Sequence, residues 1–454
     1  MLPSRFVLCA LLGFAVAWEA RAQSDVIERL ADYIEVDTTN PPGNEARGVA
    51  FLGRILGAAG IPYETVEAEP GRGNLWARLE GGDEPALILL HHIDVVPASA
   101  QAWASDPLAA VIKDGELFGR GAIDTKSLGI MHLEAFLALH RSGRSLNRDV
   151  IFVATADEEA GGQLGAGWLV EHKPEIFAGA GYLLNEAGVG IESAGGTRFQ
   201  IEVAQKRPYW LRLVATDEPG HGASPRAQSA PSRLVAALYR IQQMPFEPRV
   251  TTAVREMFKG IAPYEDEAWQ GALADIDRAL LEPAFLERFQ AARPHLHAML
   301  RNTCSLTVLA GSAKINVIPP QASAELDCRI QPEQDGDEFL AAIVERVDDE
   351  RIQVEPIMSF APSASSADTD LFRALETVLR KHYPQAGIVA AVQGGFTDSH
   401  YFRERGIVSY GFGPFVIPLA AIGGVHGNNE RIGIDTFERG VAIMTELLAT
   451  FTSR

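Results

Sequence analysis

Cysteine is scarce in this chain, with three among 454 residues, and a net positive charge is missing altogether. The formal charge at pH 7 is −19. A partner that presents a phosphate backbone wants a basic face, so nucleic acid is excluded as a ligand class. Low-complexity tracts and internal repeats are absent too. The apolar run at residues 6–18 is too short to span a bilayer comfortably. It follows Arg5 and precedes the small-residue sequence Ala20-Arg21-Ala22, the layout of an export signal that is removed. We therefore expect a signal peptide at residues 1–22 and a mature chain starting near Gln23. The mature protein would then be secreted or periplasmic, with no stable membrane insertion.

In such an oxidising compartment the other two cysteines matter. Cys304 and Cys328 flank two alternating runs that read as adjacent antiparallel strands, with Asn316 at the midpoint. The pair can face each other across that ladder. A disulfide and two buried free thiols both fit.

With 47% hydrophobic and 22% charged residues, the chain has the makeup of a soluble globular protein long enough for two domains. Residues 25–36 and 44–59 have helical apolar spacing, and Gly60 is a helix stop. Strand-like runs follow at 63–68, 74–79 and 86–92, then a hairpin signal at Asp114-Gly115. A helix beginning at "TKSLG" closes at Gly143, and the apolar run "RDVIFVAT" leads into acidic residues. Strands alternating with helices point to an α/β sheet covered on both faces.

From about Arg198 the pattern changes to strand-turn-strand, then a helix at 226–243 and a charged helical insert at about 253–300. The cysteine hairpin, a helix at 335–348 and a strand at 351–356 complete a compact α+β unit. Helix-strand alternation resumes after Pro362. The expected organisation is one α/β domain, residues 23–197 and 359–454, interrupted by a second domain at 198–358.

Chemistry gathers where the strands end. In "PALILLHHIDVVPA" an apolar strand runs into His91, His92 and Asp94. Strand alternation puts His92 and Asp94 on one face and His91 on the other, where packing or a hydrogen bond is expected. Asp124 follows a glycine-rich turn in "GRGAIDTK", and Glu158 and Glu159 sit together in "ATADEEAGG". Glu186 ends the run "YLLNEAG", and His426 lies in the glycine-flanked loop "GGVHGNNE". One acidic residue at a strand end is explained by a helix cap or a solvated turn. Five such segments are harder to dismiss, because ligands of open α/β sheets collect at the carboxyl ends of strands. Zinc accepts this mixture of nitrogen and oxygen donors. Two ions about 3.5–4 Å apart share a bridging carboxylate and can activate water at neutral pH.

The ordered motifs "HHIDVVP", "KDGELFGRGAIDTK", "DEEAGG", "LLNEAG", "GHGASP", "NVIPP", "DCR" and "GGVHGNNERI" cover nearly all of the mature chain. Their order and spacing resemble the dinuclear zinc hydrolase family of glutamate carboxypeptidase, aminoacylase, acetylornithine deacetylase and succinyl-diaminopimelate desuccinylase. The resemblance implies a zinc-exopeptidase-like catalytic domain, a mixed sheet flanked by helices, interrupted by a smaller ferredoxin-like lid and dimerisation domain. It implies His92, Asp124, Glu159, Glu186 and His426 as ligands of two zinc ions per subunit, with Asp124 bridging; cobalt and manganese suit the same donors. Glu158 would be the general base that takes a proton from the attacking water and passes it to the leaving amine, and Asp94 would orient His92. His221 resembles the histidine that stabilises the tetrahedral oxyanion, usually from the neighbouring subunit of a homodimer. Asn316 and Arg329 resemble the pair that holds the substrate's free carboxylate.

Three departures stand out: Ser127 replaces a glycine, "TDSHYF" puts His400 in place of an arginine associated with substrate, and "QKRPYW" lacks a glycine after Lys206. The insert at 253–300 is expected to enlarge the lid. The function implied is an exported zinc amidohydrolase or carboxypeptidase acting on a small peptide or an N-acyl amino acid. Two rivals are a dinuclear zinc aminopeptidase or dipeptidase and a catalytically silent zinc or peptide binder on the same fold. The "GRG-A-x-D" context and the inserted domain argue against the first, and Glu158 beside Glu159 argues against the second.

Overall fold

Residues 86–90 alternate between two hydrophobic layers, and that alternation organises the larger part of the molecule. Leu87 and Leu89 join one core, while Ala86, Ile88 and Leu90 join another on the opposite face. Their strand, Glu84–His92, lies between the parallel strands Arg148–Thr155 and Ala180–Ser193. Among the described residues the sheet has eight strands, in the order 63–67, 73–79, 148–155, 84–92, 180–193, 408–418, 196–205 and 387–393. It is mixed: the central pairings are parallel and the first two are antiparallel. These relations come from a computed structural model that describes residues 25–244 and 246–453. The signal-peptide reading lies outside the described residues.

Helices Lys126–Ser142 and Ile434–Phe451 cover the first layer, and Ala166–His172 with the turn Pro174–Phe177 covers the second. A strand covered on both faces can be apolar throughout, which is why 86–90 shows no polar alternation. Each fully buried leucine there contributes about 2 kcal/mol of transfer free energy. Helix Lys126–Ser142 stops at Gly143, which takes a left-handed φ of 60°. Among the described residues no helix is long and apolar enough to cross a membrane.

A second, four-stranded antiparallel sheet has the order 303–310, 321–330, 207–216 and 352–359. Its strand Arg207–Thr216 turns Leu211 and Leu213 towards helices Ala230–Gln242 and Gly336–Val347, which share a separate core with it. Trp210 and Arg212 alternate onto the other face. Cys304 and Cys328 are direct partners in the ladder, and a disulfide joins them. Of the two sequence alternatives the bonded one holds.

Two expectations need correction. Strand Gly196–Gln205 belongs to the large sheet, so the chain crosses to the small one at Lys206 rather than near 198. Nor does the helical insert enlarge the lid. Helix Thr252–Ile261 carries the stripe Val254, Met257, Phe258 and Ile261, all part of the large core. It packs on the outermost strand Gly387–Gln393: a Cβ on Gly260 would stand 2.7 Å from Val389 Cγ1. An amphipathic helix buries its apolar stripe on the nearest unshielded surface, and here that surface is the edge of the large sheet.

Candidate metal centre

The alternation that separates the two cores also separates the paired histidines. His91 continues the face of Leu87 and Leu89. It is fully buried, 3.3 Å from the Tyr33 hydroxyl and 5.4 Å between ring centroids from Phe152. A Cβ at position 129 would stand 2.4 Å from the His91 ring, so Gly129 is what lets the helix pass over it. His92 turns the other way. Its Nδ1 donates to the main-chain carbonyl of Asp94 at 2.9 Å, leaving Nε2 facing Asp124 Oδ1 at 3.0 Å and Glu186 Oε2 at 3.6 Å.

His426 Nε2 reaches the other oxygen of the same carboxylate, Asp124 Oδ2, at 3.0 Å and Glu159 Oε2 at 3.1 Å. Two triads of donors result, His92–Asp124–Glu186 and Asp124–Glu159–His426, each within 4.8 Å and both using Asp124. Each oxygen of Asp124 serves one histidine. That division is what a carboxylate bridging two cations requires.

Burial makes the group a crowd of mutually repelling anions. Glu186 is pushed up to about 7 by burial, and Glu158 well above the usual carboxylate range by burial and by Glu186. Glu159 is raised by burial and by Asp124. Burial opposes charge on His92, yet Glu186 and the hydrogen bonds to Asp124 and Asp94 hold its ring well above the ordinary value. Hydrogen bonds to Asp124 and Glu159 raise His426 to about 10. A buried set this negative gains from positive charge in its midst. Two imidazoles and three carboxylates fit divalent zinc-like cations.

The supporting residues were less legible. Asp94, expected to orient His92, meets Nδ1 through its main-chain carbonyl at 2.9 Å, with its carboxylate oxygen also close, at 3.5 Å. The Asp94 carboxylate also accepts the Asn40 amide at 2.8 Å and the backbone N–H groups of Glu158 and Glu159, both at 3.2 Å. It therefore fixes the turn that presents the general-base candidate. Behind that turn, Arg72 bridges buried Glu45 and Asp157, each at 2.8 Å.

Glu430, fully buried, accepts the N–H groups of Ile123 at 2.7 Å and Asp124 at 3.0 Å. Asp398 accepts from Thr155 at 2.9 Å, and burial holds its carboxyl well above its usual range. Asn40, Glu430 and Asp398 were not singled out from sequence. Their only local signals were "TTNPPGNE", "HGNNE" and the aspartate of "TDSH".

The other predicted residues lie apart from this cluster. His221 is exposed on the two-residue strand Gly220–His221, opposite Val317, and its Nδ1 accepts the Ala223 N–H at 3.0 Å. Asn316 is beside it, its carbonyl accepting the Gly222 N–H at 2.9 Å. Arg329 stands at the far end of strand Gln321–Ile330, opposite Thr303 and Pro208. Asn316 and Arg329, expected to act together, are therefore held apart within one chain by the length of that strand. His400 is buried, stacked on Phe360 at 3.6 Å, with Nδ1 3.1 Å from Glu404.

Peptidase family M20/M25/M40 matches residues 88–450, most of the chain. The protein belongs to this family. It is an M20 amidohydrolase/peptidase and hence a metallohydrolase, and the two overlapping triads are its candidate metal site. Mouse aminoacylase-1 is 28% identical over 439 residues, covering 93% of this chain and 94% of that protein. Mouse N-fatty-acyl-amino acid synthase/hydrolase PM20D1 is 27% identical over 379 residues, 81% of this chain and 75% of its own. Among solved structures, the M20 family metallo-carboxypeptidase Sso-CP2 from Sulfolobus solfataricus superposes with a TM-score of 0.73 at 18% identity, covering 93% of this chain and 98% of that one. The mixed sheet with its flanking helices is thus the M20 fold.

Proposed function

We propose that the protein is an exported zinc-dependent amidohydrolase that cleaves the amide bond next to a free α-carboxylate, in an N-acyl amino acid or at a peptide C-terminus. The observation that carries this reading is the shared Asp124 carboxylate with buried Glu158 in the neighbouring turn. His92, Asp124 and Glu186 would hold one ion, and Asp124, Glu159 and His426 the other. When bound, such ions polarise a carbonyl and lower the pKa of water.

Glu158 takes the proton of the attacking water and returns it to the leaving amine. Burial and the neighbouring Glu186 push its carboxyl well above the usual carboxylate range, the direction that suits a group returning a proton to a leaving amine. Asp94 keeps it in place by holding its backbone N–H. Arg329 receives the substrate carboxylate. His221 and Asn316, exposed side by side, act on the site of a second copy, His221 as oxyanion donor. The Cys304–Cys328 bond supports an oxidising destination, in keeping with the export signal read at residues 1–22. The relatives named above, an aminoacylase and an N-fatty-acyl-amino acid hydrolase, support the substrate class.

The test is a hydrolysis screen of N-acyl amino acids and dipeptides, with and without a chelator. Activity that requires a free α-carboxylate, tolerates a blocked α-amine and vanishes with chelator is expected. A requirement for a free α-amine would indicate an aminopeptidase instead. Glu158→Gln should lose about 100- to 10,000-fold in kcat with metal content unchanged.

A further inference from the structure

Strand Ile352–Ser359 of the small sheet carries a β-bulge, and the bulge changes which way its last residues face. Ile352 and Val354 join the small core, and Pro356 stands opposite Leu211 of that core. Regular alternation would send Met358 there too. The register shifts between Pro356 and Met358, however, and Met358 stands opposite Trp210 instead. Directly opposed residues share a face, so the bulge re-aims Met358 to the side without helices.

There the side chain is seated on the turn of the large domain that carries the general-base candidate. A Cβ on Gly161 would stand 2.6 Å from Met358 Cε and 3.6 Å from its Sδ. Gly161 closes the turn of Glu158 and Glu159. Its N–H donates to the Glu158 carbonyl at 2.8 Å, and its own carbonyl accepts the Tyr401 hydroxyl at 2.7 Å. With φ of 110° and no Cβ, this glycine is what lets the thioether come so close.

Met358 also stands out among the methionines. Met131, Met257, Met299 and Met444 are buried, whereas Met244 and Met358 are half-buried. Cys304 and Cys328 are bonded to each other, so no thiol among the described residues competes for an oxidant.

We propose that Met358 is an oxidation site through which hydrogen peroxide reversibly lowers activity, by unseating the small sheet from the Glu158 turn. The sulfur lone pair attacks one peroxide oxygen, the O–O bond breaks, and one sulfoxide and one water result. Oxidation makes a flexible apolar side chain polar. The new oxygen wants a donor, and the turn has none to give. The N–H groups of Glu158 and Glu159 go to Asp94, those of Ala160 and Gly162 to the Asp157 carbonyl, and that of Gly161 to Glu158. An oxygen packed there without a partner is unfavourable, and the contact opens. For its effect on activity the inference rests on the amidohydrolase reading given above.

The test treats the metal-loaded full-length enzyme with hydrogen peroxide, removes it, and locates sulfoxide by peptide mass spectrometry. Hydrolysis of N-acetyl amino acids should fall by about tenfold or more as Met358 is converted, with metal content unchanged. Methionine sulfoxide reductase should restore it. Met358→Leu, compared with its own untreated form, should hold its activity under peroxide, whereas Met244→Leu should lose activity as the wild type does. Hydrogen exchange at the backbone of residues 158–162 gives a readout free of turnover. It should quicken on oxidation of the wild type and stay constant in Met358→Leu. Full conversion of Met358 without faster exchange, or without loss of activity in an active enzyme, overturns the proposal. Equal inactivation of Met358→Leu overturns it too, as does a Met358 that stays reduced while Met244 is oxidised. If no N-acetyl amino acid or dipeptide is hydrolysed even before treatment, the amidohydrolase reading falls, and exchange alone decides whether oxidation unseats the contact.

Discussion

Glu430 accepts the backbone N–H of Asp124 at 3.0 Å, although 306 positions separate the two residues. The same carboxylate accepts the N–H of Ile123 at 2.7 Å and of Gly121 at 3.1 Å, and pairs with Arg120 at 2.7 Å. A single buried anion therefore shapes the whole turn that presents the shared carboxylate. Glu430→Ala should weaken metal binding by about 10- to 100-fold, read by competition with a chelator. It should also destabilise the fold by about 3 kcal/mol or more, because Arg120 would be left buried and unpaired. Retention of native metal affinity would show that the turn holds its shape without Glu430.

Metal stoichiometry distinguishes a shared carboxylate from two independent sites. Asp124 contributes to both triads, Glu186 and His426 to one each. Elemental analysis of Asp124→Ala should find both ions lost. Glu186→Ala and His426→Ala should each lose mainly the ion of their own triad. Equal losses in all three variants would argue against bridging.

His132 provides a pH dependence away from the ligands. The ring is fully buried in helix Lys126–Ser142, and neither nitrogen has a partner among the described residues. Burial lowers its pKa from 6.5 to about 3. Between these values the unfolded chain binds a proton that the folded chain refuses. Stability should therefore rise with pH across that window and be lost as pH falls from 6.5 towards 3. His132→Leu should flatten this limb of the urea-midpoint profile. An unchanged profile would mean that the ring finds a proton acceptor when charged.

The Cys304–Cys328 bond closes a loop of sequence separation 24. Its removal in Cys304→Ser/Cys328→Ser should cost about 3 kcal/mol, mostly by freeing the unfolded chain. Wild type under reducing conditions should match the double variant in denaturant midpoint. A midpoint indifferent to reductant would show that the small sheet does not depend on the bond.

Local periodicity explains how much of the site could be read in advance. His92 and His91 are separable from sequence because strand parity is a local rule, and Leu87 to Leu90 make the parity unambiguous. Asp124, Glu158, Glu159, Glu186 and His426 each follow an apolar run or a glycine turn. The partners behind them leave no such trace. Asn40 reaches Asp94 across 54 positions, and Asp398 reaches Thr155 across 243, by contacts that only the finished sheet creates. The insert misled for a related reason: its helices were visible, but the surface that would bury their apolar stripe was not.

Among the described residues, strand Gly387–Gln393 is paired on one side, with Gly196–Gln205. On its free side the Val392 N–H donates to the Met257 sulfur at 3.2 Å, and Gly260 lies against Val389. A bare strand edge is a template on which another chain can add itself. The insert helix thus serves as a guard rail, blocking intermolecular β-pairing at the one end of the large sheet where parallel strands would otherwise lie open. A chain trimmed of residues 252–299 should keep its donor cluster and lose its solubility.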